Sequence, residues 1–164
     1  MERLIIRSEL ISILPYDQIM QICFSSARLN MRSNITGFMV ECGGVFIQSL
    51  EGTPNSLSKT FRRIVKDKRH HRIKRIFLNK NADSRIFGAW SMNMMFLDDQ
   101  SLWQQAIGSL DAYDGFHERS HDAAFAIGVL MLSYRHACEK AQLSSTPSED
   151  RCGQLPHPDQ VLGA

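Results

Sequence analysis

No apolar run in these 164 residues approaches the roughly 20 that a membrane-spanning helix needs. The N-terminal MERLIIRS carries an acid at position 2 and an apolar run of three, too short for a secretory signal. Charge of one sign is also scarce. Lys and Arg number 19 against 17 Asp and Glu, so the net charge of +2 argues for no particular partner. Cysteine is sparse: Cys23, Cys42, Cys138 and Cys152 show no CxxC spacing and no paired metal pattern. Cys23 and Cys42 sit in apolar surroundings and read as small buried hydrophobes in a reducing compartment. The expectation is a cytoplasmic protein with no metal site. Nucleophile elbow, P-loop, GxGxxG and HExxH are all missing. Ser, His and Asp occur without the spacing of a triad, so nothing positive supports an enzyme. There are no internal repeats.

What is present is ordinary globular material, 43% hydrophobic and 22% charged, enough for one core. Residues 3–8, RLIIRS, read as a buried strand. Pro15 opens a helix with Ile19, Ile22, Cys23 and Ser26 on one face, expected to end near Asn30. Residues 34–41 form a second strand, Gly43 and Gly44 a hairpin turn, and 45–50 a third strand closed by Glu51 and Gly52. Leu57, Phe61, Ile64 and Val65 mark a second helix, capped at Asn55 or Ser56 and ending near Lys68. Residues 73–79 and 89–96 give two more strands. Strand, helix, strand, strand, helix, strand, strand predicts an α+β, ferredoxin-like βαββαββ sandwich with one added strand. Two helices on one sheet face leave a groove that a planar ligand could enter. Two further helices are expected over 100–112 and 119–142, the second with a stripe of Phe125, Val129, Leu132 and His136. They would pack on the back of the sheet or serve as a docking surface. From Ser144 the composition turns to Ser, Pro, Gly and charge, so 144–164 reads as a flexible tail.

Gln48 is the most informative residue. Alternation puts Phe46 and Gln48 on one face of the third strand, Ile47 and Ser49 on the other. On a helix-covered face its amide would need polar partners, since leaving them unmade costs roughly 1–3 kcal/mol. On an open face it is a surface glutamine. Asn30 reads from spacing as a helix C-cap. Residues 59–75, KTFRRIVKDKRHHRIKR, are strongly basic around Asp67. They fit a phosphate or nucleic-acid patch, or a solvated helix end with cations favoured by the dipole. Without interleaved aromatics, single-strand binding by stacking is poorly supported.

Taken in order, RLIIRS, ITG at 35–37, GGVFIQSLEG at 43–52, RIVKDKRHH at 63–71 and FGAWSM at 87–92 resemble the BLUF family of flavin-based blue-light sensor domains. The resemblance covers roughly residues 1–97. It implies a BLUF-like flavin-binding domain over 1–97, a helical extension over 98–143 and the tail beyond. It implies a flavin, FAD or else FMN, seated between the two helices. Asn30 then matches the asparagine that hydrogen-bonds the ring, and Gln48 the glutamine whose amide rearranges on illumination. Ile22 and Ile64 match the aliphatic pair that sandwiches the ring. Arg63, Asp67, Arg69 and His70 match residues around the ring edge, ribityl chain and phosphate. Trp90 and Met92 match a fifth-strand pair whose exchange is a debated output step.

Two positions depart from the pattern. Leu29 stands where many members carry a second asparagine. Ile6 stands where the family has the tyrosine that passes an electron and a proton towards the excited flavin. As a strand residue isoleucine is sound; as chemistry it offers neither proton nor donor. Tyr16, at the start of the first helix, is no obvious substitute. The resemblance therefore implies a sensor-type regulator with photoactivation lost or altered, or a light-independent partner-binding module on the same fold. With the chain ending after two helices, no cyclase or phosphodiesterase is expected. Output would pass to a regulatory protein through the fifth strand and C-terminal helices. The chain is expected to form homo-oligomers and to bind neither membrane nor nucleic acid.

Overall fold

The computed structural model describes residues 1–97, 103 and 115–143. They form β1 (Glu2–Leu10), α1 (Tyr16–Arg32), β2 (Thr36–Cys42), β3 (Val45–Gly52), α2 (Pro54–Val65), β4 (His70–Asn79), β5 (Met94–Phe96), α3 (Phe116–Arg119) and α4 (Ala123–Lys140). This is the expected α+β, ferredoxin-like order. The sheet runs β4-β1-β3-β2-β5. The first four strands pair antiparallel, and β5 lies parallel to β2. The expected helix over 100–112 lies outside the described residues except for Trp103, as does the tail from 144.

Alternation along the strands sends side chains into two cores. On one face Leu4, Ile6, Phe46 and Leu50 pack with Ile19 and Ile22 of α1 and Leu57 of α2. On the other, Ile5, Phe38, Val40 and Ile47 pack with Trp90, Trp103 and Leu130 and Tyr134 of α4. Each large apolar side chain so buried contributes roughly 1.5–3 kcal/mol. The β2–β3 hairpin turns at Gly43 and Gly44, both left-handed at φ 56 and 83, as a two-residue loop requires. Gly37 on β2 is needed for closeness: a Cβ there would lie 2.4 Å from the Ser49 carbonyl oxygen.

Several boundaries differ from the sequence reading, each for a local reason. Helix α1 passes Asn30 and ends at Arg32; the left-handed asparagine after it is Asn34, φ 51. Asn30 is not a C-cap. Glu51 and Gly52 pair with β1 and so belong to β3. Helix α2 is capped by Thr53, whose side chain accepts from Ser56 N at 3.2 Å, not by Asn55 or Ser56. It stops at Val65, which is 52% exposed and not part of the core stripe. There Asp67 Oδ1 accepts from Arg69 N at 3.0 Å, a side-chain turn that draws the chain out of the helix. Strand β4 begins at His70 because β1 runs on to Leu10 to pair with it. The pairing crosses a bulge where Arg72 sits at φ 47, a conformation costing a non-glycine residue about 1 kcal/mol. Strand β5 is only Met94–Phe96, not 89–96, because the Ser91 carbonyl turns away to accept from Asn30 Nδ2 at 2.9 Å. The last helix is α4 preceded by the short α3, not one helix over 119–142. Its buried residues include Ala126, Val129, Leu130, Ser133 and Tyr134, while Leu132 and His136 are half-buried. The expected stripe shares only Val129 with that face.

Candidate functional site

Between α1 and α2 the sheet is left partly uncovered, and a cleft of about 320 Å³ opens there. Helix α1 lends Ser25, Ser26, Leu29 and Asn30, and α2 lends Thr60, Arg63 and Ile64. The turn after α2 adds Asp67 and Arg69. The floor is Gln48 and Leu50 of β3 with Met92. The size is at the lower end for small-molecule sites, roughly 300–1,000 Å³. An apolar base and a few convergent polar groups are what such sites require.

Gln48 is only 7% exposed. Among the described residues nothing hydrogen-bonds its side-chain amide. Its amide opens onto the cleft, and a ligand's polar edge would satisfy it. Directly across on β1 stands Ile6, fully buried and opposite Gln48 in register. Antiparallel neighbours in register share a face, with Cβ atoms about 4.5–5.5 Å apart. Ile6 thus closes the floor beside the amide with hydrocarbon.

The polar rim is paired. Asn30, 1% exposed, donates to Ser91 O and accepts from Arg63 Nη2 at 3.4 Å. Burial lowers the Arg63 pKa. Arg69 grips Asp67 in a fork, Nε to Oδ1 at 2.9 Å and Nη2 to Oδ2 at 2.5 Å. The fork lowers the Asp67 pKa and raises that of Arg69. His70 lies behind this turn, its Nδ1 3.3 Å from Ser8 Oγ and its ring edge-on to Phe46 at 5.1 Å. Burial lowers the His70 pKa.

The sensors of blue light using FAD, the BLUF family, match this chain over residues 1–93. The chain belongs to the BLUF family. Among curated relatives, the blue light- and temperature-regulated antirepressor BluF of Escherichia coli (strain K12) is 32% identical over 94 residues, 57% of this chain and 23% of the relative. The photoactivated adenylate cyclase subunit alpha of Euglena gracilis is 35% identical over 60 residues, 37% of this chain and 6% of the relative. The chain thus spans under a quarter of either relative's length. Among solved structures, the BLUF protein BlrB in its dark state superposes with a TM-score of 0.64 at 26% identity, covering 80% of this chain and 95% of that one. A bacterial light-regulated adenylyl cyclase gives 0.63 at 28% identity, covering 71% of this chain and 35% of that one.

Of the BLUF residues named from sequence, the fold gathers Asn30, Gln48, Arg63, Ile64, Asp67, Arg69 and Met92 around one cleft. Ile22 is buried in the core beneath and does not line it. His70 lies behind the wall. Trp90 is on the opposite sheet face, its ring 6.2 Å from Phe38 and 5.6 Å from Tyr134. Sequence reasoning missed Thr60, 2% exposed on the cleft wall. Its place three residues after Leu57, on the buried face of α2, was the available signal. Ser25 and Leu50 were missed as well, and neither carries a spacing that singles it out.

Proposed function

We propose that this chain is a flavin-binding regulatory protein of the blue-light-sensor type that signals through protein–protein contacts, with photoactivation lost or altered at Ile6. The observation that carries the reading is the Gln48 amide, which opens onto the cleft and has no partner among the described residues. Asn30, Gln48, Ile64, Arg63, Asp67 and Arg69 would hold the cofactor, with Ile22 and His70 packed behind them, FAD in the first instance with FMN as the alternative. When bound, the flavin supplies the light absorption. The residues around it do the rest. Gln48 offers an amide that can both donate and accept, Asn30 a second one, and Arg63 and Arg69 a cationic rim for phosphate. Ile6, opposite Gln48, has no proton to give and no hydroxyl to anchor the amide. Trp90 packs beyond the sheet with Tyr134 and is not beside the cleft. Ile6, Gln48, Trp90 and Met92 are the positions where this chain's response would be set. The chain would act in the cytoplasm, without catalysis of its own, as a homo-oligomer that meets a downstream regulator through β5 and the C-terminal helices.

The second reading is a light-independent partner-binding module. Its support is the complete apolar packing of Ile6 and the presence of Leu29 on the cleft wall. Colour separates the two. Purified protein, supplied with FAD and illuminated with blue light, is expected to be yellow and to show no ordinary few-second red-shifted state. A protein that stays colourless and cannot be reconstituted with FAD or FMN removes the flavin reading and leaves the module.

A further inference from the structure

The net charge of +2 conceals a division. Residues 53–82 hold ten Lys and Arg against one acid, Asp67, while the rest of the chain holds nine against sixteen. The cleft accounts for only two of the ten, Arg63 and Arg69. Arg72 pairs with Glu9 at 3.1 Å, and Arg75 lies over the Phe61 ring at 5.6 Å. Lys74 stands opposite Arg7 in register and so shares the far face of the sheet. Lys80 lies beyond the end of β4. Lys59, Arg62, Lys66 and Lys68 remain. All four are exposed, and among the described residues none meets a carboxylate.

Three of the four share one stripe of α2. Leu57, Thr60 and Ile64 give the face turned to the core and the cleft. Lys59, Arg62 and Lys66 each follow by two residues, which is about 200° round the helix. They therefore stand on its outer face, spread over about 10 Å of axis. Lys68 adds a fourth cation in the turn, where Asp67 is already gripped by Arg69. Like charges three and four apart on a helix repel, and α2 contains no acid to relieve them. The helix dipole favours cations in the last turn but not Lys59 in the middle. An external polyanion supplies the missing countercharge.

Composition selects which polyanion. Protein interfaces are poor in lysine and rich in aromatic rings. A helix lying on a membrane buries an apolar face. Single nucleic-acid strands are held by stacking on rings. Among the described residues, α2 and its turn expose no aromatic ring and one large hydrophobe, Val65. Dense cations without rings or apolar anchors suit the backbone of a duplex. We propose that the outer face of α2 and the turn after it dock double-stranded DNA by its phosphates, without reading sequence. This surface lies across α2 from the cleft and needs no flavin. Net charge points away from nucleic acid only because the acidic remainder of the chain offsets this face.

The test follows the fluorescence anisotropy of a labelled DNA duplex of arbitrary sequence as protein is added, at several salt concentrations. Each neutralised phosphate contributes about −0.9 to the slope of log affinity against log salt, so four contacts give about −3.6. The triple variant Lys59→Gln, Arg62→Gln, Lys66→Gln is expected to bind at least about tenfold more weakly and to keep a slope of about −0.9. Arg32, Arg135 and Lys140 are exposed off α2. The variant Arg32→Gln, Arg135→Gln, Lys140→Gln loses the same charge and is expected to bind as the parent does. Equal losses in the two triples, or no binding at about 50 mM salt, overturn the proposal. So does a slope shallower than about −2 in the parent, a result that depends on no variant folding. Polyglutamate or phosphatidylserine vesicles that bind more tightly than the duplex also overturn it, in favour of an acidic protein or a membrane.

Discussion

Replacing Gln48 with methionine should make the flavin-free protein more stable and the flavin-bound protein weaker. The side chain is nearly enclosed at 7% exposure and its amide meets no described partner. A fully buried amide without a hydrogen bond costs roughly 1–3 kcal/mol, and one that opens onto a cleft, as here, costs less. Methionine has similar length and no polar group, and it would lie with Leu50 and Met92 on the cleft floor. The expected gain is therefore about 0.5–1 kcal/mol in urea unfolding, seen as a higher midpoint at unchanged slope. The same change removes the one amide that a flavin edge can use at the floor. Affinity for FAD, measured by quenching of flavin fluorescence, should fall about tenfold, the equivalent of one hydrogen bond of roughly 1.4 kcal/mol. Opposite signs on stability and affinity mark a residue kept for its ligand. Lower stability at unchanged slope would refute the argument, because it would mean the amide is already satisfied in the flavin-free fold.

Other consequences follow from particular contacts. Ile6→Tyr places a phenol opposite Gln48 and should bring back a light-induced red shift, read by difference spectra before and after blue light. Overpacking of the fully buried site should lower stability by about 1–3 kcal/mol, and a substituted protein that binds flavin without shifting would count against the role given to position 6. Gly37→Ala drives a Cβ to 2.4 Å from Ser49 O and should cost about 3 kcal/mol or prevent folding; thermal unfolding unchanged from the parent would show that β2 and β3 separate more easily than described. Glu9 has a pKa that burial tends to raise but that Arg7, His71 and Arg72 bring down to about 2. Since its unfolded value is near 4.5, its contribution is complete above that pH and is lost as pH falls towards 2. Glu9→Gln should flatten the acid limb of a stability–pH profile; an unaltered limb would remove Glu9 from the account.

The strand and helix order was legible because each element carries a clear period and the turns carry glycine or proline. The face of Gln48 followed from alternation, but not whether that face was covered, since cover comes from helices distant in sequence. Asn30 shows the limit of local rules. An asparagine near a helix end reads as a cap, yet here its amide reaches a carbonyl 61 residues away. That contact also shortened the fifth strand, whose sequence looked regular. The segment RLIIRS read as an apolar strand and hid a fully buried charge. Arg7 donates to Ser120 Oγ at 2.7 Å and to Glu9 at 2.6 Å, so a cation sits inside the second core. No spacing in the sequence predicts a partner 113 residues away. Helix α4 escaped its stripe because it is apolar nearly all round, and such a helix gives no phase to read.

The central claim is that the Gln48 amide faces a flavin. It is tested most directly by following the Gln48 side-chain N–H₂ resonances, assigned by their loss in Gln48→Met, while FAD is added to flavin-free protein. The account predicts that this pair moves, and saturates together with the flavin fluorescence. FAD that binds while the pair stays in place, or FAD that does not bind at all, would contradict it.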